Sequence, residues 1–159
     1  MRTIEQILRA ARTVAVVGLS NKPERASLEV ASYLQEQGYR IIPVNPAYAG
    51  QEILGETVYA TLQEAADALA SSGTRIDIVD CFRKSSDIPP LADDAIAIGA
   101  KVLWMQLGIV NEAAAQRAVA AGLDVVMNRC VKIEHARILG GLNWAGVNTR
   151  IISSRRPVA

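Results

Sequence analysis

The chain has 159 residues, of which 50% are hydrophobic and 21% charged, a size that suits one domain with a core needing no disulfide or metal staple. No apolar run approaches the roughly 20 residues that span a bilayer, which excludes a membrane-spanning protein. The net charge of +1 excludes a global pull on nucleic acid or an anionic membrane surface, so any anion site must be local.

The opening residues predict a short amphipathic helix capped by Thr3. Glu5, Gln6, Arg9 and Arg12 interrupt what would otherwise pass for the apolar region of a signal peptide. Five apolar, β-branched runs follow: TVAVVGLS at 13–20, YRIIPVNP at 39–46, IDIVDCFR at 76–83, KVLWMQLGI at 101–109 and LDVVMNRC at 123–130. Segments of helical periodicity separate them. Glu24 to Gln37 ends at Gly38, Leu62 to Ala70 ends in Ser-Ser-Gly, Pro89 to Ile98 has Asp87 as its cap, and a helix capped by Asn111 runs to Gly122. Strands apolar on both faces, alternating with helices, predict an α/β fold: a Rossmann-like doubly wound sheet of about five parallel strands with helices on both faces. No linker divides the chain, which reads as one domain over 1–159. From about residue 136 the pattern weakens; Thr149 to Ser153 reads as an edge strand and SSRRPVA as a fraying end.

In such a sheet ligands lie beyond the carboxyl ends of the strands, near the point where strand order reverses. That rule selects the loops Gly18 to Arg25, Val44 to Pro46, Phe82 to Ser85, Gln106 to Ile109 and Asn128 to Val131. The first carries the most chemistry. Gly18 turns the chain, Ser20 and Asn21 can donate to a phosphate, Lys22 and Arg25 bring charge, and a helix N-terminus follows. The alternative is a capped helix with solvated cations. An ordinary NAD site needs three glycines and an acid about 20 residues on; this loop has one glycine, and Asn45 stands where the acid belongs. An Asn beside basic groups still tolerates a phosphorylated ribose. The Gly-Lys-Ser/Thr of a P-loop is absent.

The segments VAVVGLSNKPERAS, GYRIIPVNP, ILGETVYATL, DIVDCFR, AIAIGAKVLWMQLGI, GLDVVMNRCVKIEH and GGLNWAGVNTRIISS together resemble the small stand-alone CoA-binding domain proteins. Those are similar to the nucleotide-binding domain of the succinyl-CoA synthetase alpha subunit. The resemblance spans nearly the whole chain and implies coenzyme A bound across the strand ends. It makes Gly18, Ser20, Asn21, Lys22 and Arg25 the phosphate residues and lays Pro43, Val44 and Asn45 against the adenosine part. Phe82, Arg83 and Lys84 follow the third strand, where an aromatic face and two cations suit adenine or a phosphate; a core phenylalanine with solvated cations is the alternative. Gln106, Leu107 and Gly108 end the fourth strand, and Gly108 would let a ligand approach the backbone. Asn128 and Cys130 end the fifth.

The synthetase works through a phosphorylated histidine on another domain, for which this chain has neither the length nor the loop. Its one histidine, His135, reads as a surface or capping residue. Cys130 is the candidate reactive thiol, at a helix start beside Arg129 and Lys132, where a lowered pKa is expected; a small packed residue is the alternative. Cys81, Trp104 and Met105 read as core. Two cysteines without a disulfide framework or zinc spacing point to a reducing, cytoplasmic setting with no metal. The favoured reading is a non-catalytic module for coenzyme A or a short acyl-CoA. The alternatives are an NADP-linked oxidoreductase, a thiol-dependent acyl-transfer protein using Cys130, or a structural partner of an acyl-CoA enzyme. Oligomeric state is left open.

Overall fold

The computed structural model describes residues 1–140. Helix α1 (Ile4–Ala10) starts with a capping box, Thr3 accepting from the Gln6 N–H and Gln6 answering the Thr3 N–H. Then come β1 (Thr13–Val17), α2 (Ala26–Glu36), β2 (Arg40–Val44), β3 (Glu52–Ile53), β4 (Glu56–Thr57), α3 (Leu62–Ala70) and β5 (Ile78–Cys81). The order continues with α4 (Ile88–Ala97), β6 (Val102–Met105), α5 (Glu112–Ala120), β7 (Asp124–Val126) and α6 (Val131–Ile138).

Five strands pair in parallel in the order β2-β1-β5-β6-β7. All residues of β1, β5 and β6 are buried, which is why their sequences run apolar without alternation. Ala15, Val17, Val79, Cys81, Leu103 and Met105 face the layer of α3, α4 and α5. Val14, Val16, Ile78, Val102 and Trp104 face α1, α2 and α6. The sheet is therefore doubly wound, as the alternation of strand and helix predicts. No helix among the described residues is long and apolar enough to cross a membrane.

Element ends differ from the sequence reading for local reasons. Strand β6 stops at Met105 because Gln106 begins a turn, its carbonyl accepting from the Ile109 N–H at 2.9 Å. Helix α2 starts at Ala26 because Lys22 to Arg25 form a turn closed by a 3.0 Å bond. Asp87 precedes α4 but makes no side-chain cap, and Asn111 does cap α5, accepting from the Ala114 N–H at 2.9 Å. The hairpin β3–β4 was not predicted. Its turn places Leu54 at φ 55° and Gly55 at φ 80°, a geometry usually signalled by Asn-Gly rather than Leu-Gly. The segment leaving this hairpin covers the outer edge of β2 through Tyr59, which donates to the Pro43 carbonyl at 3.0 Å and accepts from Asn45 at 2.9 Å.

His135 corrects an expectation. It is buried, not at the surface: Nδ1 lies 2.9 Å from the Tyr33 hydroxyl and the ring packs edge-on against Tyr33 and Tyr39. Burial lowers its pKa, so the fold holds the neutral ring. A folded pKa below the unfolded one contributes stability that is full above the unfolded value and lost as pH falls through the folded one. Because the chain has one histidine, its imidazole proton resonances report this directly. They are expected to titrate below the ordinary midpoint of about 6.5, with the melting temperature falling over the same interval; a midpoint above it would contradict the buried neutral ring. The edge strand expected at Thr149 to Ser153 and the fraying end lie outside the described residues.

Candidate functional site

The chain leaves β1 toward β2 on one side and returns past β1 to β5 on the other, so strand order reverses between β1 and β5. Open parallel sheets have a crevice at that point. Here it is a cleft of about 420 Å³ lined by Gly18, Ser20, Lys22 and Arg25 after β1, Asn45 and Tyr48 after β2, and Phe82 and Arg83 after β5.

The floor of the cleft requires glycine. Gly18 has φ 91°, and a Cβ there would stand 2.3 Å from the Phe82 carbonyl oxygen, so only a bare backbone lets the loops after β1 and β5 meet. Beyond Gly18 the loop is held from two sides. The buried Ser27 hydroxyl accepts from the Ser20 N–H at 3.0 Å, and the Ser20 hydroxyl accepts from the Lys22 N–H at 3.1 Å. Buried Asn45 donates to the Leu19 carbonyl at 3.1 Å and accepts from the Ala47 N–H at 3.0 Å, tying the β1 loop to the turn after β2. Asn45→Ala leaves the Leu19 carbonyl without that donor and should cost about 1–2 kcal/mol in denaturant unfolding; an unchanged midpoint would remove Asn45 from the scaffold of the site.

Over this floor stands positive charge. Lys22, Arg25 and Arg83 all border the cleft, and among the described residues none of them is in an ion pair. Among the described residues no side chain caps α2, whose first turn opens at Arg25, so its positive end adds to the same field. In two other hollows most of the basic groups are engaged: in one, Arg9 pairs with Glu5 and Arg12 donates to the carbonyls of Arg9 and Ala11; in the other, Arg2 pairs with Asp124, while Lys101 is in no ion pair among the described residues. The donor set of the β1–β5 cleft suits a ligand with several phosphate charges and a flat ring, since Phe82 and Tyr48 supply aromatic surface.

Of the residues singled out from sequence, the cleft brings together Gly18, Ser20, Lys22, Arg25, Asn45, Phe82 and Arg83. Asn21 and Lys84 are exposed on the same loops. Pro43 and Val44 are buried in β2 and contribute to the sheet. The remaining candidates form a second group at the ends of β6 and β7. Asn128, at φ 62°, accepts from the Gly108 N–H at 2.7 Å, beside the exposed Leu107. Gln106 is buried against Asp80. Ser27, Ala47 and Tyr48 line the cleft and were missed. Ser27 is the second residue of α2, where nothing in a single sequence distinguishes an anchoring hydroxyl from a solvated one.

Cys130 corrects a second expectation. Burial raises its thiol pKa and outweighs the lowering influence of the α6 backbone and Lys132. Lys132 is committed elsewhere, to Glu29 at 2.6 Å.

Residues 12–136 match the family model for the CoA binding domain, and the chain belongs to that family. It is 40% identical over 133 residues to the uncharacterized protein YneT of Bacillus subtilis, covering 84% of this chain and 92% of that one. Among solved structures it is similar to a hypothetical protein from Pyrococcus horikoshii OT3, with TM-score 0.76, 39% identity, and 86% and 90% of the two chains covered. A Thermus thermophilus structure, cell-free ID.343, matches with TM-score 0.76 and 33% identity over 87% of this chain and 100% of that one.

Proposed function

We propose that this protein binds coenzyme A or a short acyl-CoA across the carboxyl ends of β1, β2 and β5, as a non-catalytic binding module of the cytoplasm. The observation that carries the reading is the group of cations, Lys22, Arg25 and Arg83, in no ion pair among the described residues, around the start of α2 at the point of strand reversal. Membership of the CoA-binding family supports the choice of coenzyme A among polyphosphate ligands.

The roles divide by element. Lys22, Arg25 and the first N–H groups of α2 would hold phosphate charge, with Ser20 and Asn21 adding hydroxyl and amide donors. Phe82, Tyr48 and Arg83 would border the adenine, and the second group, at Gly108, Asn128 and Cys130, would lie toward the pantetheine arm. Coenzyme A brings a thiol able to carry an acyl group; the protein's part is to bind and orient it. Native mass spectrometry of freshly purified protein tests the reading. A bound mass of coenzyme A or its thioester is expected, and the protein remaining ligand-free after adding coenzyme A would overturn it.

A further inference from the structure

Asn45 follows β2, where the acid of an ordinary dinucleotide site would grip the ribose hydroxyls. Its side chain serves the scaffold instead. It is buried, and both ends of its amide are engaged, the nitrogen on the Leu19 carbonyl and the oxygen on the Ala47 N–H. Among the described residues no Asp or Glu lines the cleft at all. A ribose placed here meets no carboxylate to take its hydroxyls, and a phosphate on that ribose meets none to repel it.

The cations of the cleft stand on two different elements. Lys22 and Arg25 lie in the loop from β1 into α2, and Arg83 lies in the loop after β5, across the strand reversal. Lys22 and Arg25 are exposed, whereas Arg83 is half-buried. The loop that carries Arg83 is pinned on both sides. Before it, the Phe82 N–H donates to the Val17 carbonyl at 2.8 Å; after it, the Asp87 N–H donates to the Lys84 carbonyl at 2.8 Å. The Ser85 hydroxyl accepts from the Val110 N–H at 3.0 Å, and the Asn111 amide donates to the Ser85 carbonyl at 3.0 Å, which ties this loop to the one after β6. A guanidinium rising from a fixed backbone loses less freedom on binding, and its planar fork matches a phosphate better than an ammonium does.

We propose that Arg83 is a specificity-determining residue of the cleft: its guanidinium binds a phosphomonoester on the ribose of an adenine nucleotide, while Lys22 and Arg25 hold the 5′-phosphates. The function proposed above, on which this choice of position rests, puts the phosphomonoester on C3′, where coenzyme A carries it. Phosphates on the two sides of one sugar lie several bonds apart, so they are served by cations from two walls. Arg83 follows directly on Phe82, the aromatic residue of the β5 wall, which sets the cation beside the surface offered to the base. Selectivity for the phosphorylated ribose then comes from charge, in place of the hydroxyl contacts that Asn45 does not offer.

The test is calorimetric titration of the full chain with AMP, adenosine 3′,5′-bisphosphate and adenosine 2′,5′-bisphosphate, none of which has a pantetheine arm, and then with coenzyme A and dephospho-coenzyme A. The 3′,5′-bisphosphate is expected to bind roughly tenfold to a hundredfold more tightly than AMP, and coenzyme A to exceed dephospho-coenzyme A by a similar factor. Arg83→Ala should bring both ratios close to one. Lys22→Ala should weaken every ligand and leave the ratios unchanged. The subsite is overturned if the wild type binds neither bisphosphate more tightly than AMP, a result that needs no variant to fold. It is overturned equally if Arg83→Ala weakens AMP as much as the bisphosphates, which would make Arg83 a partner of the base. Coenzyme A bound no more tightly than dephospho-coenzyme A would also overturn it while leaving the coenzyme A reading standing. Preference for the 2′,5′-bisphosphate, lost in Arg83→Ala, would keep the subsite and count against coenzyme A.

Discussion

Lys22→Ala and Arg25→Ala should each weaken coenzyme A binding by roughly tenfold to a hundredfold, the usual loss when a charged partner of a phosphate is removed, and leave pantetheine binding nearly unchanged. The difference between the two ligands is informative because pantetheine lacks the nucleotide and its phosphates. Both side chains are exposed at the rim of the cleft and neither is in an ion pair among the described residues, so truncating them strands no buried charge. The effect should therefore appear in affinity and not in melting temperature. It should also shrink as salt is raised, since exposed charges are screened over about 10 Å at 0.1 M. Equal losses for coenzyme A and pantetheine would remove Lys22 and Arg25 from the phosphate site.

Gly18→Val should be the most damaging single change to the scaffold. A side chain at φ 91° is strained, by about 1–2 kcal/mol on general grounds, before any contact is considered. The Cβ would also stand 2.3 Å from the Phe82 carbonyl oxygen, a backbone atom in the loop leaving a fully buried strand. Relief requires β1 and β5 to part where they build the cleft. The expected cost is about 3 kcal/mol or more, a fall in melting temperature of roughly 10 °C, together with loss of coenzyme A binding. Gly122→Ala is the matched control: φ is 96° but nothing lies within 4 Å, so it carries the conformational strain alone. If the two variants melt together, the close approach at Gly18 does not matter.

The sheet was legible because its central strands are buried on both faces, which writes uninterrupted apolar runs such as VAVV and VLWM into the chain. Helix α3 was legible to the residue because Ser71 to Gly73 end its apolar pattern, and the structure adds a cap the sequence reading did not use, the Thr61 hydroxyl accepting from the Glu64 N–H at 3.1 Å. The first loop pointed to the cleft because a glycine, a helix start and two cations coincide there. Other features depend on three dimensions. The β3–β4 hairpin hides behind a Leu54 in a left-handed turn. Sequence sees Arg129 and Lys132 beside Cys130, but not the burial that outweighs Lys132 or the Glu29 that takes up Lys132. His135 looked isolated because Tyr33 lies 102 residues away. Asp80 looked like one polar residue in an apolar strand, and only the fold reveals that half of its carboxyl has no partner.

Calorimetric titration of the purified chain with coenzyme A, and separately with NADP, tests the central claim most directly. Saturable one-to-one heat with coenzyme A, weakened by Lys22→Ala and Arg25→Ala and absent with NADP, is the predicted result. Heat with NADP and none with coenzyme A would contradict it and turn the same cations toward a phosphorylated ribose.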